Sequence, residues 1–91
     1  MEINIVHEEK YQQFTLNLGH DEAELAYALP APGEINFTHT YVPDNARGRG
    51  IANKLIKEGL RFAEMNDLKV TATCPIVAEF LRQHTDYPKL L

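Results

Sequence analysis

The sequence predicts an α+β fold built on a mixed sheet, with elements in the order β-β-β-β-α-β-α. Three observations predict it. Apolar and polar residues alternate through the first 41 positions, the apolar period lengthens to that of a helix after Arg49, and a short strand-like run followed by a second helical run comes last.

Ile3, Ile5 and His7 share one phase and mark the first strand. After the polar break "HEEK", Phe14, Leu16 and Leu18 mark the second, and after "LGHD" Leu25, Tyr27 and Leu29 mark the third. "PAPG" at Pro30 to Gly33 breaks the chain, and Ile35, Phe37, His39 and Tyr41 then alternate with Glu34, Asn36, Thr38 and Thr40 as a fourth strand. From Arg49 to about Asn66, Ile51, Ala52, Leu55, Ile56, Leu60, Phe62 and Ala63 recur at helical spacing, with Lys54, Lys57, Glu58, Arg61 and Glu64 on the other face. Leu68, Val70, Ala72 and Cys74 give a fifth strand. Pro75 suits the first position of a helix whose inner stripe is Ile76, Val77, Phe80, Leu81 and His84. Strand four, the long helix and strand five form a β-α-β unit, which makes that strand pair parallel and its crossover right-handed.

Ninety-one residues suit one domain, residues 1–91, with a radius of gyration of about 12 Å. A net charge of -4, from 9 basic and 13 acidic residues, argues against a nucleic-acid partner, which needs a continuous basic surface. The apolar runs fall far short of the ~20 residues that span a bilayer, and "MEINIVHEEK" lacks the features of a signal peptide, so a cytoplasmic location without membrane contact is expected. The single cysteine, Cys74, excludes an internal disulfide, and the four scattered histidines lack zinc-type spacing, so no metal is expected.

Against this acidic background, "YVPDNARGRGIANKL" concentrates two arginines and two glycines between the fourth strand and the long helix. Ligands of open sheets gather beyond the carboxyl ends of parallel strands, where this stretch falls. A helix start presents unpartnered N–H groups and a partial positive charge. Gly48 and Gly50 remove side chains that would hold an anion off the backbone, and Arg47 and Arg49 add charge-assisted contacts. The alternative is a tight turn at Gly48 with solvated arginines. Neither the P-loop spacing nor GxGxxG is present.

The run Val42-Pro43-Asp44-Asn45-Ala46-Arg47-Gly48-Arg49-Gly50-Ile51-Ala52 resembles the acetyl-CoA-binding motif of the GCN5-related N-acetyltransferase (GNAT) superfamily, R/Q-x-x-G-x-G/A, whose fixed positions are filled by Arg47, Gly50 and Ala52. With "FTHTYVP" before it and "TATCPIVAEFLRQHTDY" after it, the chain is similar to the compact, YjdJ-type subgroup of that superfamily. The resemblance implies that strands four and five splay apart at their carboxyl ends and that the pantetheine arm lies between them. It further implies that backbone groups of Tyr41 and Val42 pair with the arm, and that Arg47, Gly48, Arg49, Gly50, Ile51 and Ala52 hold the pyrophosphate. Larger relatives carry a tyrosine acid in the last helix, where this sequence places Leu81; Tyr87 is the nearby substitute.

Acetyl transfer to an amine needs a neutral amine, donors for an oxyanion and a proton for the leaving thiolate. Cys74, directly before Pro75, falls at a helix N-cap, where thiolate is favoured and could accept the acetyl group; in the compact subgroup a cysteine at this position suggests proximity to that group. The alternative is a buried core cysteine in phase with Leu68, Val70 and Ala72. His39 suits a general base or a partner for Cys74, against packing beside Phe37 and Tyr41. Glu34 is a further possible base. His7 and His20 carry no specific signal, and His84 could bond the end of its helix.

The leading expectation is an acetyl-CoA-dependent N-acetyltransferase acting on an unidentified amine, a small molecule or a protein. The alternatives are a CoA-binding or partner-binding module with little turnover, because no strands follow the last helix to build an acceptor site, and a plain interaction domain whose basic loop meets an acidic protein. The acceptor loops carry no pattern that selects one amine, and no motif specifies an oligomeric state.

Overall fold

The computed structural model describes residues 4–84. Ile3 and Tyr87, both named above, lie outside them. β1 (Ile5–Glu8), β2 (Gln13–Asn17), β3 (Glu22–Ala28) and β4 (Glu34–Tyr41) are followed by α1 (Ile51–Met65), β5 (Lys69–Ala72) and α2 (Pro75–Gln83). The sheet has the order β1-β2-β3-β4-β5. Its first four strands form an antiparallel meander and β4 pairs with β5 in parallel, so the predicted mixed sheet and element order are the observed ones. The Cα radius of gyration is 12.6 Å. Among the described residues, no helix is long and apolar enough to cross a membrane.

The meander arises from period-two patterning. Phe14, Leu16, Ala23, Leu25, Tyr27, Ile35 and Phe37 are buried and join Leu55, Ile56, Leu60 and Ala63 of α1 in one core. The other face of the parallel pair is tied by polar side chains: Asn36 Nδ2 donates to Thr71 Oγ1 at 2.8 Å, and Thr73 Oγ1 donates to Asn36 Oδ1 at 3.0 Å. The polar break after the first strand becomes a 3-10 turn at Glu9–Tyr11, followed by Gln12 at φ 54°.

Two departures from the sequence reading matter for function. The fourth strand does not alternate to its end. Ala26 pairs with His39 and Tyr27 with Phe37, so Thr38 is an extra residue in β4, a β-bulge. The bulge reverses the phase: Ile35 and Phe37 are buried before it, Thr40 is buried after it, and His39 and Tyr41 are exposed. In the second departure, β5 ends at Ala72, short of Cys74, while Cys74 is the N-cap of α2 as expected. Ile76, assigned above to the inner stripe, is half-exposed because the buried face of α2 is Val77 and Phe80.

α1 crosses the sheet at Gly59. A Cβ built there would fall 2.8 Å from Phe37 Cε1 and 3.0 Å from Leu25 Cδ2, both in fully buried side chains. Gly59→Ala gains about 1 kcal/mol of helix propensity and meets overpacking of about 1–3 kcal/mol. A net loss of about 1 kcal/mol, read from urea denaturation, is expected.

At the far end of the sheet, His7 stacks on Phe14 with ring centroids 4.1 Å apart, meets Phe62 edge-on at 4.4 Å, and its Nε2 lies 2.7 Å from Tyr27 Oη. Burial lowers the imidazole pKa below its ordinary 6.5, against the opposing pull of Glu9 and Glu58. The unfolded chain therefore binds this proton more readily than the folded one, so the stabilising contribution is full above 6.5 and is lost as pH falls below it. Denaturation midpoints should fall between about pH 7 and pH 5 in the wild type, and less steeply in His7→Gln.

Candidate functional site

The ladder between β4 and β5 runs from Glu34 opposite Lys69 to Phe37 opposite Ala72 and then stops. Past this point the Phe37 carbonyl accepts both the Thr73 and the Cys74 amides at 3.1 Å, which turns the chain out of the strand and into α2. β4 continues to Tyr41. The two carboxyl ends therefore separate, and a cleft of about 480 Å³ opens beside them, in the size range of small-molecule sites. One wall is Thr40, Tyr41 and Val42. The floor is Arg47, Gly48 and Gly50 with Ile51, Ala52 and Asn53 of α1, and Ile76 of α2 closes the other side.

The loop between β4 and α1 makes a 3-10 turn at Asp44–Ala46, then passes through Gly48 at φ 84° and Gly50 at φ 73°. These left-handed conformations are why glycine stands at both places, and open space surrounds each Cβ position. Gly50 is the N-cap of α1 and has no side chain to cap it; the helical ladder begins with Lys54 N–H to the Gly50 carbonyl at 3.1 Å. The preceding amides, Ile51 to Asn53, are those that a helix start leaves without an intrahelical partner, and no acid in the first turn offsets the helix dipole. Backbone donors, a positive helix end and open space are the features that would suit this helix start to an anion, a candidate cradle.

Arg47 is already oriented. Its Nε donates to the Val42 carbonyl at 3.2 Å and its Nη1 lies 3.1 Å from Asp44 Oδ1. The ion pair is solvent-exposed and contributes little, so an incoming anion can replace it at small cost. Arg49 is exposed beside it. Tyr41 Oη donates to Asp21 Oδ2 at 3.3 Å, and the Asp21 charge, with partial desolvation, raises the phenol pKa. Among the described residues, no group of three or more His, Cys, Asp or Glu side chains is placed to hold a metal ion.

Cys74 is buried at 4% exposure behind the cleft wall, and its Sγ lies 3.3 Å from Thr40 Oγ1. Burial pushes the thiol pKa up. Hydrogen bonds from the Thr40 hydroxyl and from the Val77, Ile76 and Thr40 amides outweigh it, and the result is a thiol held below its ordinary value. Thr40, not His39, is the β4 residue that meets Cys74, because the bulge turns His39 to the exposed face. Glu34, at the opposite end of β4, is only partly exposed. Leu81 packs against the core, and His84 Nδ1 lies 2.9 Å from the Phe80 carbonyl, bonding the end of its own helix. Sequence reasoning missed Thr40 and Ile76. The available signal was the run of two threonines and a histidine where β4 must both pair and diverge, and it gives no phase without the bulge.

A mixed sheet whose parallel pair opens beside an uncapped, glycine-led helix start defines the class of fold, an α+β domain with a cleft at its β-α junction. A model of the GCN5-related N-acetyltransferases matches residues 13–90, and the chain belongs to this family. It is 38% identical over 84 residues to Protein NATD1 of Gallus gallus, covering 90% of this chain and 76% of the relative. It is 37% identical to the Homo sapiens protein of the same name, covering 90% and 74%. The solution structure of a GCN5-like protein from Staphylococcus aureus superimposes with a TM-score of 0.79 at 30% identity, over 97% of this chain and 87% of that one.

Substituting either cradle glycine forces an L-residue into the left-handed region. Gly48→Ala and Gly50→Ala should each lower the stability read from urea denaturation by about 1–2 kcal/mol, although neither meets a steric obstacle.

Proposed function

We propose that this chain is an acetyl-CoA-dependent N-acetyltransferase acting on an amine in the cytosol, with the β4-α1 cradle as its CoA site. The observation that carries the reading is the cradle itself: two left-handed glycines lead into an uncapped helix start inside a cleft that begins where β4 and β5 part. Family membership supports the acetyl-transfer chemistry.

In this reading the amides of Ile51 to Asn53 and the Arg47 and Arg49 guanidiniums bind the pyrophosphate, while the Tyr41 and Val42 backbone lines the pantetheine arm. Arg47 leaves the Val42 carbonyl as it turns to the phosphates. Cys74 gives its proton to water and attacks the acetyl carbonyl. Its sulfur–carbon bond forms as the bond to the CoA sulfur breaks, and the CoA thiolate takes a proton from water. A neutral amine then attacks acetyl-Cys74. The nitrogen–carbon bond forms, Cys74 leaves as thiolate, and the surplus proton of the nitrogen passes to that thiolate directly or through water. His39, exposed on the opposite face of β4, is a candidate base for the acceptor amine.

One observation favours a second reading, a CoA-binding or partner-binding module with little turnover: among the described residues lining the cleft, Ile76 alone comes from beyond β5 and leaves a shallow acceptor side.

Addition of acetyl-CoA should shift the amide resonances of Tyr41 to Ala52, and intact mass of the same sample should show one acetyl group that Cys74→Ala abolishes. Unchanged resonances at saturating acetyl-CoA would sink the cradle. Resonance shifts without an acetyl adduct or amine turnover across a broad amine panel would select the binding module.

A further inference from the structure

We propose that Thr40 is a positioning residue for Cys74, its hydroxyl donating to the cysteine sulfur from the wall of the cleft. The inference rests on the reading of Cys74 as acyl acceptor and assigns the group that orients it.

The geometry is particular to the bulge. Without the extra residue at Thr38, regular alternation would turn His39 toward the core after Phe37 and leave Thr40 outside. With it, Thr40 is buried at 8% exposure, lines the cleft on one side and meets Cys74 Sγ at 3.3 Å on the other. Burial opposes ionisation of Cys74, and the Thr40 hydroxyl, with the nearby amides of Val77, Ile76 and Thr40, favours it. Of the charged groups nearby, Glu79 of α2 pairs with Arg82 at 3.0 Å, and Arg47 of the loop pairs with Asp44 at 3.1 Å. The influences that lower the Cys74 pKa are hydrogen-bond donors, with no cationic side chain among them.

Thr40 thus borders both the cleft and the sulfur. Its hydroxyl fixes the direction from which Cys74 meets an acetyl carbonyl, and a donor on the thiolate keeps the nucleophile oriented while the cysteine proton has gone to water. Valine at this position has nearly the same volume and no donor; serine keeps the donor and loses a methyl group.

The test titrates Cys74 in the protein alone, by thiolate ultraviolet absorbance and the Cβ chemical shift, in the wild type, Thr40→Val and Thr40→Ser. It then follows acetyl-Cys74 formation with acetyl-CoA by intact mass across pH. The wild-type midpoint should lie below that of free cysteine. Thr40→Val should move it to higher pH and slow acetylation about tenfold near neutrality, with the pH–rate profile displaced by the same amount; Thr40→Ser should restore both. An unshifted titration in folded Thr40→Val would overturn the proposal, as would a wild-type midpoint at or above that of free cysteine, a measurement that needs no variant. Because the titration uses no acetyl-CoA, failure of acetyl-CoA binding would count against the enzyme reading while leaving the Thr40–Cys74 result to stand or fall separately.

Discussion

The contact between Gly59 and Phe37 is the constraint on which the rest of this structure depends. α1 approaches the sheet so closely that one added carbon would fall 2.8 Å from the Phe37 ring. That approach sets the height of α1 over β4, and with it the place where the helix start meets the end of the strand. Phe37 acts in the other direction as well: its carbonyl takes the amides of Thr73 and Cys74 and so ends the parallel pairing. One residue thus anchors the crossover helix through its side chain and releases β5 through its backbone.

The bulge at Thr38 follows directly after that anchor, and the combination converts a continuous sheet into a cleft. Strand pairing satisfies backbone groups at every residue, so opening a sheet within its own plane leaves donors and acceptors to be met in another way. Here β3 keeps β4 paired up to Tyr41, α2 begins where β5 stops, and the Phe37 carbonyl takes the Thr73 and Cys74 amides. Cys74 accordingly experiences two opposed influences, desolvation that favours the thiol and converging donors that favour the thiolate, and the donors prevail. The cradle is governed by a different balance. Its arginines are exposed and its glycines are conformationally costly in the unfolded chain, so the loop adds little stability and keeps its backbone open.

Most of the fold was legible because alternation and helical period are local properties. The run from Ile35 to Phe37 announces a strand, and the stripe from Ile51 to Ala63 announces the helix that covers it. Part of the site was legible for the same reason: glycines at Gly48 and Gly50, next to arginines and ahead of a helical stripe, have a local conformational meaning that φ angles of 84° and 73° bear out. The phase of β4 beyond Phe37 was not. Read by alternation, "FTHTY" puts His39 and Tyr41 with Phe37, and nothing in the run itself marks the extra residue, because a threonine fits either face.

By itself, then, the sequence determined the order of elements, the parallel character of the last strand pair and the place of the glycine-arginine run between β4 and α1, since each follows from spacing along the chain. The tertiary structure alone decided that Thr40 rather than His39 faces Cys74, that Ile76 borders the cleft, and that Cys74 has donors enough to lower its pKa. The physical reason is that a bulge takes its energy from pairing with the neighbouring strand, and a buried sulfur takes its charge state from groups on two separate elements. Neither quantity is a property of the residues adjacent to it in sequence.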